Sequence, residues 1–347
     1  MEKIKIANLY NIEKQFQKKI DNIIRNDPYP DTVEFHLTDK CNSKCIYCFN
    51  KSNKYNKFKQ KNKNKILKTS EIFELLKEFK KLNIKKISFS GGGEPLLYKD
   101  ISKILDFSIK LNFKTRLITN GYYINNLNKN ILFNLKEIRI SIDSFKVENY
   151  TKIRGVNKKF LERVINNLKK LTKLRTGKNK ITGISLMLIN ECSKDLEYTI
   201  KRAKNLGINL IEIKNDIIKK KKKSKKLERI LRNLVEKYND KNFYINPRFE
   251  ERFLPNISKY GCFVSYKRIA IDMHGNVFPC CLQAQPNFHA TYFLENIHNF
   301  MSFKKLWKKT KIIRDNLKKY TKCKNCNFED RLYNMYISKN IKKFEND

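Results

Sequence analysis

Three cysteines lie within eight residues of one another: Cys41, Cys45 and Cys48. They follow an apolar run, residues 32–37, that predicts a β-strand. Thiolates on a loop at the end of a strand can converge on one soft metal centre. Three ligands are one fewer than the four that close a structural zinc site, so a coordination position is left open for chemistry on a substrate. The alternative is a zinc ion whose fourth ligand is His36 or a distant cysteine.

A second set of cysteines lies far along the chain. It comprises four thiols, Cys262, Cys280, Cys323 and Cys326. Four thiols are the number that closes a metal site. Cys281 adjoins Cys280 and could replace it as a ligand, whereas Cys192 lies outside both sets and is expected to be an ordinary thiol. The alternative is a structural zinc, although zinc ribbons usually carry two C-x2-C pairs and this chain has one.

The elements that must position these cysteines alternate between strands and helices. Apolar runs predict strands at residues 32–37, 86–90, 115–119, 137–142, 184–189 and 209–213. Amphipathic patterns predict helices at residues 70–82 (with Ser70 as N-cap), 101–111, 124–134, 159–174 and 194–206. Strands that alternate with helices form βαβ units and a parallel sheet. Six such steps predict an α/β fold, a partial (β/α)6 TIM-like barrel with its chemistry at the C-terminal ends of the strands.

Three further motifs fall at those strand ends. Gly91-Gly92-Gly93-Glu94-Pro95 follows the second strand, Thr119-Asn120-Gly121 the third, and Ser141-Ile142-Asp143 the fourth, with Arg154 shortly beyond. Taken alone, a glycine triplet predicts only a tight turn, an asparagine is a common turn former and an arginine can form a surface ion pair. Their shared position beside the three cysteines makes them candidates for one site.

The composition excludes some classes of protein. The chain has 347 residues with a formal net charge of +42, and 40% of the residues are hydrophobic. It has no run of about 18 apolar residues, so no membrane span is expected. Its start lacks the apolar core of a signal peptide, so a cytoplasmic location is expected, and nine cysteines then indicate metal ligands or reactive thiols rather than disulfides. A Lys-Asn bias explains the basicity as well as an attraction to an anionic partner or substrate does, and the charge alone does not choose between them. Without an aromatic-interleaved RNA motif, a nucleic-acid partner is not expected.

The first cysteine cluster points to a family. Cys41-Asn-Ser-Lys-Cys45-Ile-Tyr47-Cys48 resembles the CX3CXΦC signature of the radical S-adenosylmethionine (radical SAM) enzymes, with Tyr47 in the aromatic position. The resemblance implies a 4Fe–4S cluster on the three cysteines, with S-adenosylmethionine bound to the fourth iron through its amino and carboxylate groups. It assigns cofactor contacts to a larger set: Tyr47, Gly92, Gly93, Glu94, Asn120, Ser141, Asp143 and Arg154.

The resemblance also divides these roles. Gly92, Gly93 and Glu94 would receive the methionine ammonium, since glycines admit a ligand close to the backbone and a carboxylate suits an ammonium. Ser141 and Asp143 would lie at the ribose and methionine carboxylate, where Arg154 would also pair. The segment that contacts adenine in some members is not recognisable near residues 189–190.

The second cysteine set resembles the Twitch domain, the shorter relative of the SPASM domain attached to many radical SAM enzymes. The matching parts are C-x12-G-x4-C, from Cys262 to Cys280, and the later C-x2-C. The resemblance implies one auxiliary 4Fe–4S cluster on the four cysteines. A full SPASM domain would carry further cysteines after Cys326, and this chain has none there.

The family chemistry implies a 5′-deoxyadenosyl radical that abstracts a hydrogen atom from a substrate. We expect oxidation of a small polar molecule such as an amino-sugar, cyclitol or nucleotide sugar, with a flavodoxin or ferredoxin as electron donor. The alternative is a peptide maturase, and a tRNA-modifying or nucleic-acid-binding protein is a third hypothesis. The radical SAM enzyme that makes the molybdenum-cofactor precursor is not expected, because it would use three auxiliary cysteines and end in Gly-Gly.

The predicted domain organisation has five parts. They are an N-terminal helical extension (1–31), a radical SAM partial barrel (32–215), a basic helix or linker (216–259), a Twitch- or SPASM-like auxiliary cluster domain (260–330) and a tail (331–347).

Overall fold

The structure is a computed structural model that describes residues 23, 26–48, 65–177, 180–189, 194–215, 225–247, 261–284, 293–300, 302–319 and 328–344. Within these residues, strands and helices alternate as β1 Thr32–His36, α1 Thr69–Lys81, β2 Lys86–Phe89, α2 Ile101–Lys110, β3 Lys114–Thr119, α3 Lys129–Asn134, β4 Glu137–Ser141, α4 Val147–Arg154, α5 Lys158–Leu174, β5 Ile181–Leu188, α6 Leu196–Asn205, β6 Leu210–Asn215, α7 Lys225–Tyr238 and β7 Tyr244–Pro247. The C-terminal part contains β8 Arg268–Asp272, β9 Asn276–Phe278, β10 Glu295–Asn296, α8 Phe303–Lys309, α9 Lys311–Lys318 and α10 Phe328–Phe344.

All ten strands form one sheet in the order β10-β9-β8-β1-β2-β3-β4-β5-β6-β7. The strands from β8 to β7 in that order are parallel, and only the β8–β9 and β9–β10 pairs are antiparallel. The predicted fold class, a partial TIM-like barrel followed by a C-terminal domain, is confirmed. The C-terminal domain continues the barrel sheet, because β8 pairs with β1 along its whole length, from Thr32 opposite Arg268 to His36 opposite Asp272.

The alternation of side chains along β1 separates the core from the site. Val33 and Phe35 are fully buried on the helix-covered face, where the Phe35 ring packs against Phe79 of α1 with centroids 6.2 Å apart. Glu34 and His36 lie on the opposite, concave face because successive side chains in a strand point to opposite faces. Each fully buried apolar side chain contributes about 1.5–3 kcal/mol to folding. The register of β1 is therefore set by its apolar residues, and its polar residues are delivered to the concave face.

Helix α1 begins at Thr69, so the expected N-cap at Ser70 is wrong. The N-cap is Lys68, whose backbone N–H is accepted by the Glu71 carboxylate at 2.7 Å. This bond is the half of a capping box in which the N3 glutamate accepts the N–H of the N-cap residue, whereas a serine cap would have accepted an N–H further into the helix. The helix predicted over residues 124–134 is also wrong in part. It is a 3-10 turn, Ile124–Asn126, followed by α3, whose N-cap Asn128 accepts the backbone N–H of Ile131 at 2.8 Å.

Two elements lie in segments that were predicted to be a linker or a tail. Strand β7 lies within residues 216–259 and extends the sheet beside β6. Helix α10 occupies most of the predicted tail, and its Asp330 carboxylate is buried beside Lys267 and Arg268, 3.0 Å from Lys267 Nζ. Asn334 of the same helix accepts the Phe263 N–H at 2.7 Å. These buried polar contacts fix α10 against the C-terminal domain. The predicted N-terminal extension lies almost entirely outside the described residues, and the other domain bounds stay predictions.

No helix in the described ranges is long and apolar enough to cross a membrane.

Candidate active site

The first three cysteines lie on the loop that follows β1. This loop turns tightly, with the Cys48 N–H donating to the Cys45 carbonyl at 3.1 Å. Cys41 is exposed as a residue, yet desolvation of its thiol raises the pKa to about 11, and the Glu94 carboxylate adds to the rise. Metal ligation requires the thiolate, so cluster assembly must release this proton.

His36 does not complete a zinc site in this arrangement. It is buried on β1, and its Nε2 lies 3.0 Å from Glu34 Oε1. Across the described residues, no three His, Cys, Asp or Glu side chains form a group that could hold a single metal ion. An iron–sulfur cube binds each cysteine to its own iron, so its ligands need not converge on one point. The cysteine loop therefore fits a cluster better than a single ion.

The glycine-rich loop after β2 is bonded directly to the segment that leads into Cys41. The Gly93 N–H donates to the Thr38 carbonyl at 2.6 Å, and the Glu94 N–H donates to the Lys40 carbonyl at 2.8 Å. A Cβ on Gly93 would lie 2.1 Å from the Lys40 oxygen, and one on Gly92 would lie 2.5 Å from the Thr38 oxygen. Glycine is needed here because the two backbones approach so closely. The predicted contact of Gly92 and Gly93 with the cofactor stays a prediction.

The Glu94 carboxylate is buried, and the groups bonded to it are neutral. Its side chain accepts hydrogen bonds from Thr119 Oγ1 at 2.6 Å, from the Asn120 N–H at 2.7 Å and from the Leu96 N–H at 3.1 Å. Burial raises the pKa of the Glu94 carboxyl despite these bonds. Within the described residues, no lysine or arginine lies at ion-pair distance from it. A carboxylate has about four acceptor sites, so one remains for a cationic ligand such as an ammonium group.

Asn120 fastens the turn after β3 to the cysteine loop. Its Nδ2 donates to Asn42 Oδ1 at 2.6 Å, and its Oδ1 accepts the Tyr122 N–H at 3.0 Å. Both ends of the amide are thus used within the protein. The neighbouring Thr119, which was not singled out from the sequence, bonds to Glu94. The only signal for it was its place in the same Thr119-Asn120-Gly121 motif.

Asp143 and Arg154 are brought together, and Tyr47 joins them. The Tyr47 hydroxyl donates to Asp143 at 2.9 Å from Oδ2, and Arg154 Nε lies 2.6 Å from the same oxygen. Burial raises the pKa of the Tyr47 phenol, so it remains a donor at neutral pH. Arg154 Nη1 also lies 3.6 Å from Cys45 Sγ. Ser141 differs from these residues, because its half-buried hydroxyl at the end of β4 has no hydrogen bond within the described ranges and remains available to a ligand.

The end of α4 holds the cysteine loop in place. The Lys44 N–H donates to the Arg154 carbonyl at 2.7 Å, and the Ile46 N–H donates to the Ile153 carbonyl at 2.9 Å. The helix then ends at Gly155, which has a left-handed backbone with φ of 60°. These two bonds flank Cys45 on either side, so α4 sets the position of its sulfur.

Changing Gly155 to alanine should loosen this loop. The added Cβ would lie 2.7 Å from both Cβ and the carbonyl oxygen of Lys44, and the left-handed backbone adds strain of about 1–3 kcal/mol. We expect several-fold less iron per chain after anaerobic reconstitution. The matched control is Gly207→Ala, which has a φ of 77° but only ordinary contact with Thr172, 3.4 Å away. Equal iron loss in both variants would refute a specific role for the Gly155 contact.

The second cysteine set is described in part. Cys262 precedes β8 and Cys280 follows β9, and the Cys262 N–H donates to the Leu317 carbonyl at the end of α9 at 2.9 Å. Burial, with the neighbouring thiols Cys281 and Cys262, raises the pKa of Cys280. Burial and the Glu34 carboxylate raise the pKa of Cys281 to about 11. Cys280 is thus influenced by Cys262 and Cys281 by Glu34, and the choice of Cys280 over Cys281 as the ligand stays a prediction.

Cys323, Cys326 and Cys192 lie outside the described residues. The ends that flank the segment with Cys323 and Cys326 are described, and both lie near Cys262. On one side, α9 ends against Gly261, where a Cβ would lie 1.7 Å from the Lys318 carbonyl oxygen. On the other side, α10 is fixed to the strand that follows Cys262 through Asp330. The predicted site on all four cysteines stays a prediction.

The fold and the site define an α/β-barrel enzyme of the kind that binds a cluster at the end of its first strand. The model of the radical SAM superfamily matches residues 35–203, and that of the SPASM iron-sulfur cluster-binding domain matches residues 262–327. The chain belongs to the radical SAM superfamily and carries a C-terminal SPASM-type domain. Its cofactors are therefore a 4Fe–4S cluster, S-adenosylmethionine and an auxiliary iron–sulfur cluster, as the sequence predicted.

The similar proteins of known name are named for an activity other than the oxidation that we expected from the sequence. The chain is 31% identical to the GTP 3′,8-cyclase of Clostridium acetobutylicum over 186 residues, 53% of this chain and 56% of that protein. It is 27% identical to the probable GTP 3′,8-cyclase of Methanocaldococcus jannaschii over 265 residues, 73% of this chain and 85% of that one. The chain thus spans little more than half the length of the first of these relatives.

Two solved structures are similar to this chain at low sequence identity, so they confirm its fold and nothing further. Streptococcus suis SuiB bound to its precursor peptide SuiA is similar with a TM-score of 0.66 and 18% identity, over 92% of this chain and 74% of that one. Native anSMEcpe with bound AdoMet is similar with a TM-score of 0.58 and 17% identity, over 84% of each chain.

Proposed function

We propose that this enzyme reductively cleaves S-adenosylmethionine to a 5′-deoxyadenosyl radical, removes a hydrogen atom from a small polar substrate and oxidises it by two electrons. The observation that carries the proposal is the buried Glu94 carboxylate, which lies beside the loop of three cysteines and forms no ion pair within the described residues, although the charge of Arg154 acts on it from a longer distance. The methionine ammonium would supply the cation for an ion pair. Cys41, Cys45 and Cys48 would hold three irons, and a flavodoxin- or ferredoxin-type protein would supply the electron.

The C-terminal domain supports an oxidation. Loss of a hydrogen atom removes one electron from the substrate, and loss of a further electron and a proton completes a two-electron oxidation. A cluster held by four thiolates has no open iron and suits electron transfer. Cys262 and Cys280 flank the β8–β9 hairpin, and β8 pairs with the strand that leads into the first three cysteines. The proposed acceptor would therefore lie toward the N-terminal end of β1, whereas the first three cysteines follow its C-terminal end.

The concave face of the barrel supports a small polar substrate. Glu34 accepts the Ser90 hydroxyl at 2.7 Å and pairs with Arg116, whose Nε donates to Ser88 at 3.0 Å. The Arg116 side chain stays 25% exposed, so it is accessible from the interior. A lining of carboxylate, hydroxyl and guanidinium groups suits an amino-sugar, a cyclitol or a nucleotide sugar.

The comparisons favour GTP as a second candidate substrate, because the curated relatives carry the name GTP 3′,8-cyclase. The expected exclusion of the molybdenum-cofactor-precursor enzyme depended on the cysteine count and on the last residues, and it stays a prediction. A peptide substrate, as in SuiB, has the fold likeness alone in its favour. Incubation with GTP, a nucleotide sugar and an amino-sugar, with detection of 5′-deoxyadenosine and of product mass, would separate these candidates.

The proposal is tested by measuring iron, sulfide and zinc in a variant with Cys41, Cys45 and Cys48 all changed to alanine, after anaerobic reconstitution. We expect about four irons per chain, a reducible cubane signal by EPR and no S-adenosylmethionine cleavage. Zinc, or no metal, in this variant would remove the proposed electron acceptor and overturn the oxidation.

Two single variants in that background identify the ligand. Cys280→Ala should lose the remaining irons, and its matched control Cys281→Ala should keep them. The reverse result would show that Cys281 is the ligand.

A further inference from the structure

A buried network of three residues lies behind Cys45. We call Tyr47, Asp143 and Arg154 the Asp143 network. The Asp143 carboxylate accepts the Tyr47 hydroxyl at 3.0 Å on Oδ1 and 2.9 Å on Oδ2, and it accepts the Met187 N–H at 2.9 Å. Together with Arg154 Nε, 2.6 Å from Oδ2, these contacts occupy both carboxylate oxygens. Asp143 is 1% exposed and Arg154 is 5% exposed, so the ion pair is shielded from water.

Arg154 extends from this network to a cysteine of the first cluster. Its Nη1 donates to Cys45 Sγ at 3.6 Å, a normal length for a hydrogen bond to sulfur. Its guanidinium carbon lies 5.5 Å from the centroid of the Tyr47 ring. The backbone bonds from Lys44 and Ile46 to the end of α4 hold the two partners in register. The guanidinium is thus held against the sulfur by its neighbours in the protein.

A positive charge beside Cys45 changes how readily a cluster bound by that cysteine accepts an electron. Reduction adds one electron, and hence one negative charge, to a cluster bound by Cys45. A guanidinium beside the cysteine sulfur stabilises the reduced form, and a carboxylate beside that guanidinium partly cancels the effect. Hydrogen bonds to cysteine sulfurs and nearby charge are among the factors that set cluster potentials. Because both groups are buried, solvent and salt screen them little.

We propose that Arg154 is a positioning residue that donates a hydrogen bond to Cys45 and raises the reduction potential of the first cluster, with Asp143 as the opposing charge that limits the rise. This inference rests on the proposed function, since it requires a cluster on Cys41, Cys45 and Cys48. It differs from the role that the family resemblance implies, in which these two residues contact the ribose and carboxylate of S-adenosylmethionine. In this chain they contact each other.

The test is an EPR-monitored redox titration of the reconstituted full chain without S-adenosylmethionine. The signal of the first cluster is the one that is missing from the variant lacking Cys41, Cys45 and Cys48. Arg154→Gln should lower the midpoint potential, and Asp143→Asn should raise it. We expect at least a tenfold change in the equilibrium constant for reduction in each case, which corresponds to about 59 mV for one electron.

Opposite shifts cannot arise from a general loss of structure, which would move both variants in one direction. Arg154→Lys keeps the charge and provides a second variant should Arg154→Gln bind no iron, with a smaller fall expected because the fork of donors is lost. Arg139→Gln is the matched control. Arg139 is also a buried arginine paired with carboxylates, Glu137 and Glu212, on the strands β4 and β6, and its loss should leave the potential unchanged.

Unchanged potentials, with weaker binding of S-adenosylmethionine in Arg154→Gln and Arg154→Lys, would overturn the inference and assign Arg154 to the cofactor's carboxylate instead. Shifts in the same direction in the Arg154→Gln and Asp143→Asn variants would also overturn it. Absence of the first-cluster signal from the unaltered chain would overturn the proposed function as well. A normal signal that does not respond to these variants overturns this inference alone.

Discussion

Gly93→Ala is expected to abolish cluster binding at the first three cysteines. The added methyl would lie 2.1 Å from the Lys40 oxygen and 2.6 Å from the Asp39 carbonyl carbon, and both are backbone atoms. Backbone cannot move aside as a flexible side chain can, so the glycine-rich loop and the cysteine loop must separate. The hydrogen bond from Gly93 to Thr38 would break with them. Overpacking of this kind costs about 1–3 kcal/mol or more, concentrated at the loop that positions Cys41.

Two measurements on Gly93→Ala test this expectation: the iron content of the protein and its production of 5′-deoxyadenosine. We expect the irons of the first cluster to be missing, those of the auxiliary cluster to remain, and cofactor cleavage to fall by more than about 100-fold, since the reaction needs the open iron. Gly177→Ala is the control for backbone strain without a clash, because Gly177 has a φ of 131° but its added methyl would meet no atom within 4 Å. Full iron content in Gly93→Ala would show that the two loops can separate without harm.

Glu94→Gln should weaken the binding of S-adenosylmethionine while leaving the iron in place. The amide keeps the shape of the side chain and an oxygen that can accept from Thr119 or Asn120, but it loses the charge that would pair with the methionine ammonium. Removing one partner of a buried ion pair costs about 3–5 kcal/mol, which corresponds to a loss of affinity of about 10²- to 4 × 10³-fold. Equilibrium dialysis of the reconstituted protein against labelled cofactor measures the change.

Thr119→Val is the matched control for this variant. It removes the 2.6 Å bond to the carboxylate without changing its charge. We expect a loss of affinity of no more than about tenfold, in line with the net contribution of about 0.5–1.5 kcal/mol from one hydrogen bond. Equal losses in both variants would contradict a role for the charge and leave Glu94 as the N-cap of a short 3-10 turn, Pro95–Leu97.

The positions of the site motifs could be predicted from the sequence, because parallel strands bring their C-terminal ends to one edge of a sheet. Cys41, Glu94, Asn120 and Asp143 each follow a strand that the apolar pattern revealed. Glycine spacing indicated a close approach at Gly92 and Gly93. The structure shows that the neighbour they approach is the backbone of the cysteine loop.

The partners within the site could not be predicted in the same way. Helix α4, which carries Arg154, has only eight residues and no clear apolar stripe, so its position relative to Cys45 was hidden. Asp143 and Arg154 were each assigned to a ligand from the resemblance. Their mutual pairing depends on the tertiary position of α4. Helix α10 was missed because its buried face includes Asp330, Asn334 and Ser338, which a hydrophobic pattern does not register.

The pairing of β8 with β1 has a consequence for the order in which the chain folds. Thr32 and its partner Arg268 are separated by 268 − 32, or 236, positions in the sequence. At about 5–20 residues per second, a ribosome needs more than about ten seconds to supply that partner. Until then, one edge of the strand that leads into the cysteine loop has unpaired backbone groups, which are prone to join other chains. Overproduction is therefore expected to yield more soluble protein when synthesis is slowed and cluster assembly factors are abundant than when synthesis is fast.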